Sequence, residues 1–186
     1  MEEYWRAFRA RGITVAQVLL TADVLSRRKT YLNLRNVFET LFSLHAIPIV
    51  NENDSVSTEE IGSAFGDNDR LSAFVASKID ATLLILLSDI DALYDHDPRE
   101  HPDARPILIV DEISPEIEKS AGAHGSTHGR GGMKTKIEAA RIASRAGCRM
   151  VLADGSIPHI TRLIFEGKPL GTLFRPKQRL SQRIRW

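Results

Sequence analysis

Cysteine, a surplus of either charge and long apolar runs are all scarce in this 186-residue chain. Cys148 is the only cysteine, so no internal disulfide can form and a reducing compartment is the expectation. The 25 basic residues against 24 acidic ones leave a formal charge of +1, so no global field points to a nucleic acid or a membrane surface. Apolar runs such as TLLILLS at 82–88 fall far short of the ~20 residues that span a bilayer. The opening MEEYWRAFRARG lacks the layout of a secretion signal. The expectation is a cytoplasmic protein away from the membrane. The phosphate-loop pattern G-x-x-x-x-G-K-[ST] is missing too, since the only Gly-Lys pair, Gly167 and Lys168, is followed by Pro169. What remains is ordinary globular composition, 42% hydrophobic and 26% charged, enough for one domain with a core.

Apolar spacing and punctuation predict alternating helices and strands. EEYWRAFRARG reads as a helix ended near Gly12, with Trp5 and Phe8 at core or interface, and ITVAQVLL as a strand. YLNLRNVFETLFSLHA carries Leu34, Val37, Phe38, Leu41 and Phe42 on one stripe of an amphipathic helix. IPIV, TLLILL, PILIV and RMVLA read as strands; RLSAFVASKI, KTKIEAARIASRAG and IPHITRLIFEG read as helices. SPEIEKSAG reads as a short helix with Ser114 as N-cap and Pro115 at its first position. Short, unalternated apolar strands between helices predict a mainly parallel open sheet covered on both faces, a three-layer αβα sandwich.

In such sheets ligands gather beyond the carboxyl ends of the strands. IPIV runs into Asn51, Glu52, Asn53 and Asp54, TLLILL into Ser88 and Asp89, and RMVLA into Asp154 and Gly155. Asn and Asp in these places also serve plain turns and caps. The second feature is HGSTHGRGGMKTK, in which Gly129, Gly131 and Gly132 precede a helix N-terminus flanked by Lys134 and Lys136. Backbone N–H groups and a helix start favour an anion, although an ordinary surface loop has the same composition. Together the features suggest phosphoryl transfer, in which positioning and electrostatics do most of the catalysis. Asp69 at a helix start is suited to orienting lysines, or to capping alone. His124 and His128 lie four apart without an obvious third ligand, which leaves any metal ligands unassigned.

VNENDSV, FGDNDRLSA, LLILLSDIDALYDHDPR, GGMKTKIEAARIASRAG and GTLF stand in one order and at compatible spacing. In this the chain closely resembles the glutamate 5-kinases of the amino acid kinase family. The resemblance implies ATP-dependent phosphorylation of L-glutamate on its γ-carboxylate, the first step of proline biosynthesis, with Mg²⁺ accompanying ATP. It also implies Lys136 as catalytic lysine and Asp69 as the acid that organises lysines, with Asn51, Asp54 and Asn68 binding glutamate. Ser88, Asp89, Arg130, Gly131, Gly132, Met133, Lys134, Thr135 and Lys136 would bind ATP. Homo-oligomers and feedback by L-proline are further implications.

Against that family the fold is expected to be incomplete at its N-terminus, since the strand and Lys-x-Gly-Ser segment that open the family's domain have no counterpart. Residues 1–174 would be a partial amino acid kinase domain, and 175–186 a basic tail or linker with Arg175, Lys177, Arg179, Arg183 and Arg185 and no acid. A truncated non-catalytic module, and a kinase acting on another carboxylate or a carbamate, stay open as alternatives.

Overall fold

The structure is a computed structural model that describes residues 1–21, 28–53, 68–118 and 132–176. The chain divides into two compact units, Met1–Leu71 and Ser72–Trp186.

In the first unit, helix α1 (Glu2–Arg9) precedes strand β1 (Thr14–Leu20), helix α2 (Arg28–Ser43) and strand β2 (Ala46–Glu52). β1 and β2 pair in parallel, from Thr14 opposite Ala46 to Leu20 opposite Glu52, and the long α2 makes the crossover that parallel pairing demands. Leu20, Leu34, Phe38 and Ala46 are buried. The expected stripe on α2 is thus narrower than its sequence suggests: Leu34 and Phe38 point inward, whereas Val37 and Phe42 are 45% and 50% exposed. A two-stranded sheet supports only a narrow band of a helix, and positions four apart fill it. No residue of α1 is buried, so Trp5 is not a core residue; the Arg9 guanidinium lies over its ring, 4.5 Å from the centroid. His45, after α2, adopts a left-handed conformation at φ 54°, the geometry that commonly closes a helix.

The division between the units falls within α3 (Asn68–Lys78). Strands β3 (Leu83–Ser88), β4 (Leu93–Tyr94), β5 (Pro106–Ile107) and β6 (Ile109–Val110) follow, then helix α4 (Met133–Arg145), strand β7 (Arg149–Asp154), helix α5 (Ile160–Phe165) and strand β8 (Thr172–Phe174). The main sheet has the order β3-β7-β8-β6. β3 and β7 are parallel, as are β6 and β8, while β7 and β8 are antiparallel. β4 and β5 form a separate antiparallel hairpin. The expected strand PILIV is therefore two short strands that part at Leu108, because the chain changes partner there from β4 to β8.

β7 is the centre of this unit. Met150 and Leu152 join a core with Leu86, Ile137 and Phe174, while Val151 and Ala153 pack on the other side with Ile160 of α5. Alternate residues of one strand thus feed both faces, as a covered parallel sheet requires. Ala139, Ala140 and Ala143 are wholly buried on α4; their small side chains let that helix lie close to the sheet. Each fully enclosed side chain of the size of Leu152 or Phe174 contributes about 1.5–3 kcal/mol relative to exposure. Residues 115–118 are helical as expected, and the Ser114 hydroxyl accepts from the Ile117 N–H at 3.5 Å. The α/β architecture with parallel pairing and helices over both faces of β7 bears out the fold class.

Candidate functional site

Parallel pairing brings the ends of β3 and β7 to one edge, with Ser88 opposite Asp154. The Ser88 hydroxyl donates to Asp89 Oδ1 at 2.9 Å. That bond is the main reason the Asp89 carboxyl is held below the usual carboxylate range; its own backbone N–H, Lys136 and Arg99 add to the effect, and slight desolvation opposes it. Lys136 sits in the first turn of α4 and is only 6% exposed. A lysine this buried is unusual without charge or hydrogen-bond partners, and a helix N-terminus beside a cation is a favourable place for an anion.

The start of α4 is locally determined. Gly132 is its N-cap in extended conformation, and Thr135 donates through both N–H and hydroxyl to the Gly132 carbonyl, at 3.1 and 2.8 Å. Among the described residues a Cβ at Gly132 would meet nothing within 4 Å, so their packing does not demand glycine there.

Beside α4 lies a cavity of about 230 Å³. Ile90, Ala92, Pro98 and Met133 give it an apolar body; Asp89, Asp91, Asp97 and Arg99 give it charge, and Tyr94 and Gly132 complete the lining. Its volume is below the roughly 300–1,000 Å³ of pockets that enclose a whole drug-sized ligand. Tyr94 donates its hydroxyl to Asp91 at 2.9 Å, and that bond pushes the phenol's pKa up. The turn beyond β4 is held by Asp95, which accepts from the Arg105 N–H at 2.8 Å, and by Asp97, which accepts from the Arg99 N–H at 2.9 Å. This hairpin wall begins in the motif LLILLSDIDALYDHDPR, but its role is not legible there because β5 lies beyond the motif and Thr172, which bonds Leu93, lies 79 residues on.

Of the residues singled out from sequence, Asp89, Gly132 and Met133 share the cavity lining, and Lys136 acts electrostatically on Asp89. Thr135 is half-buried and Lys134 exposed. Arg130, Gly131 and Asp54 lie outside the described residues, as do Asp67, His124 and His128. Asn51, exposed on β2, belongs to the first unit, as do Asn68 and Asp69 at the start of α3. Asp69 is half-buried in the first turn of that helix, where a carboxylate is favoured by the dipole. Asp154 behaves as a turn residue: its Oδ1 accepts from the Ser156 N–H at 2.7 Å, and the Gly155 N–H donates to the Ser88 carbonyl at 2.8 Å. Among the described residues no group of three or more His, Cys, Asp or Glu could hold a metal ion.

Known proteins are similar to this chain in sequence or in fold. Glutamate 5-kinase of Methanosarcina barkeri (strain Fusaro / DSM 804) is 51% identical over 99% of the chain and 49% of its own length. That of Desulfotalea psychrophila is 44% identical over the whole chain and 49% of its own length. The chain spans about half the length of the curated relatives it matches. Among solved structures, carbamate kinase from Giardia lamblia bound to AMP-PNP superposes with a TM-score of 0.64 at 17% identity, covering 94% of this chain and 66% of that one. An isopentenyl phosphate kinase superposes with a TM-score of 0.59 at 16% identity, covering 93% and 64%. At such low identity these two show the fold alone. The model of the amino acid kinase family matches residues 1–154, which include both the expected acceptor-binding motifs and the Lys136 helix; the chain belongs to the amino acid kinase family.

Proposed function

We propose that this chain carries the nucleotide-binding part, and much of the acceptor-binding part, of a glutamate 5-kinase. Lys136 carries the reading: a buried cation at a helix start, within electrostatic reach of Asp89, in a chain about half identical to glutamate 5-kinases along its length. The apolar body of the cavity suits a nucleobase, and the N-terminus of α4 with Lys136 suits the phosphates that extend from it. ATP supplies the phosphoryl group, and Mg²⁺ would enter with it to neutralise part of its charge.

In this reading Lys136 stabilises charge as the phosphoryl group moves to the γ-carboxylate of L-glutamate. Ser88, Asp89 and residues 130–136 hold the nucleotide, with the Asp89 carboxylate oriented by its bond from Ser88. Asp54 pairs with the ammonium of glutamate, Asn51 and Asn68 bind its polar groups, and Asp69 orients lysines. Residues 1–174 act as a partial amino acid kinase domain with a basic tail at 175–186. The reading extends to a place in proline biosynthesis, feedback by L-proline, a homo-oligomer and the cytoplasm. No helix among the described residues is long and apolar enough to cross a membrane.

Glutamate-dependent ADP release by the purified chain tests this. Lys136→Ala should lower turnover by about 10²–10³ with a far smaller effect on the glutamate concentration required, because its charge matters most in the transition state. Equal turnover in the two proteins would remove Lys136 from catalysis. A second reading is a non-catalytic ligand-binding module; a folded chain that binds ATP without releasing ADP would favour it.

A further inference from the structure

Two polar side chains are buried among the described residues, Lys136 and Thr172. Lys136 belongs to the site, but Thr172, on β8 and wholly enclosed, lines no part of it. Its hydroxyl accepts from the Leu93 backbone N–H at 2.8 Å and donates to the Ile107 carbonyl at 2.7 Å. Leu93 and Ile107 stand opposite each other in the β4–β5 hairpin. One hydroxyl therefore ties both strands of that hairpin to β8, which is itself paired with β7 and β6.

The hairpin needs such a tie. With two residues in each strand it cannot hold itself, since even longer isolated hairpins are marginal in water. Yet it bears one wall of the cavity: Asp91 and Ala92 precede β4, Tyr94 lies in it, and Asp97, Pro98 and Arg99 follow.

We propose that Thr172 is a positioning residue for the nucleotide, holding the β4–β5 wall at a fixed distance from Met133 and Gly132 through its two hydrogen bonds. The inference rests on the reading of this cavity as the nucleotide site. Valine matches threonine in shape but lacks the hydroxyl that the Leu93 N–H and the Ile107 carbonyl both use, so both buried hydrogen bonds to β8 are lost. Serine keeps the hydroxyl.

Calorimetric titration of the 186-residue chain with Mg–ATP, together with amide hydrogen exchange, tests the proposal. Thr172→Val should weaken Mg–ATP binding by about tenfold and speed exchange at Leu93 by a similar factor, as loss of a buried hydrogen bond predicts. Thr172→Ser should stay within about threefold of wild type in both. A merely structural role would lower the unfolding temperature and leave the affinity of the folded protein unchanged; that result would overturn the proposal. Should the valine variant not fold, the wild type decides, because Mg–ATP must then slow exchange at Leu93. Bound ATP with an unaltered Leu93 amide would overturn the proposal. A folded wild-type chain that binds no Mg–ATP would overturn the nucleotide reading itself and the role of Thr172 with it, whereas equal binding by wild type and Thr172→Val would overturn that role alone.

Discussion

Replacing Gly171 by alanine probes the turn that delivers Thr172 to its place. Gly171 has φ +78°, and a Cβ there would stand 2.0 Å from the Leu152 carbonyl oxygen and 3.1 Å from the Ala153 Cβ. Leu152 cannot give way easily: it is fully buried in β7, opposite Leu86 on one side and Thr172 on the other. Two terms add. A left-handed alanine costs about 1–2 kcal/mol, and forcing backbone apart in a packed core costs about 1–3 kcal/mol or more. Gly167 separates them, because it has the same φ of +78° but nothing within 4 Å of its missing Cβ. Gly171→Ala should therefore lose about 2–5 kcal/mol and Gly167→Ala about 1–2 kcal/mol. For a chain of this size that is roughly 10 °C against roughly 5 °C in unfolding temperature. The relief of unfolded-state entropy by alanine acts alike on both. Urea and thermal unfolding, followed side by side, provide the comparison. Equal losses within about 0.5 kcal/mol would refute the steric reasoning, since surface-like changes scatter by that much.

Further outcomes follow from burial and charge. Ser88→Ala removes the largest influence holding the Asp89 carboxyl low, so its pKa should rise toward the ordinary value in a carbon-detected NMR titration. A depressed folded-state pKa stabilises the protein above the unfolded value, and that contribution is lost as pH falls through the folded value; the variant should therefore gain less from Asp89 ionisation at neutral pH. An unmoved Asp89 titration would discount the Ser88 bond. Burial pushes the Cys148 thiol up, against a smaller opposing pull from Arg149, so iodoacetamide at about pH 8 should label it only on unfolding; labelling at the rate of a free thiol would contradict its burial. On α2, Phe38→Ala should cost about 3–5 kcal/mol and Phe42→Ala no more than about 1 kcal/mol, chiefly the ring contact between them at 6.0 Å. Similar losses at both positions would mean that exposure does not rank them.

Much of this molecule is legible from short-range pattern. Apolar spacing identified α2 and α4, apolar runs identified β3 and β7, and Gly147 ended α4 with φ +75° as its position suggested. Ser88 closes β3 and Asp89 follows it, because a strand's direction decides where its end lies. Such signals come from contacts a few residues apart, which one stretch of sequence contains. The split of PILIV, the exposed side of α2 and the hairpin wall of the cavity were not legible in that way. They depend on which distant segments are present to pair or to cover a face. Thr172 shows the difference most plainly: nothing in GTLF announces a bonded hydroxyl, since its partners Leu93 and Ile107 lie 79 and 65 residues away. The sequence alone determined most of the helices and longer strands and which polar side chains stand at the strand ends, because these depend on local backbone preference and side-chain type. Tertiary structure alone decided which hairpin walls the Asp89 cavity and what ties it to β8, because a buried hydrogen bond exists only once both partners have been brought out of water together.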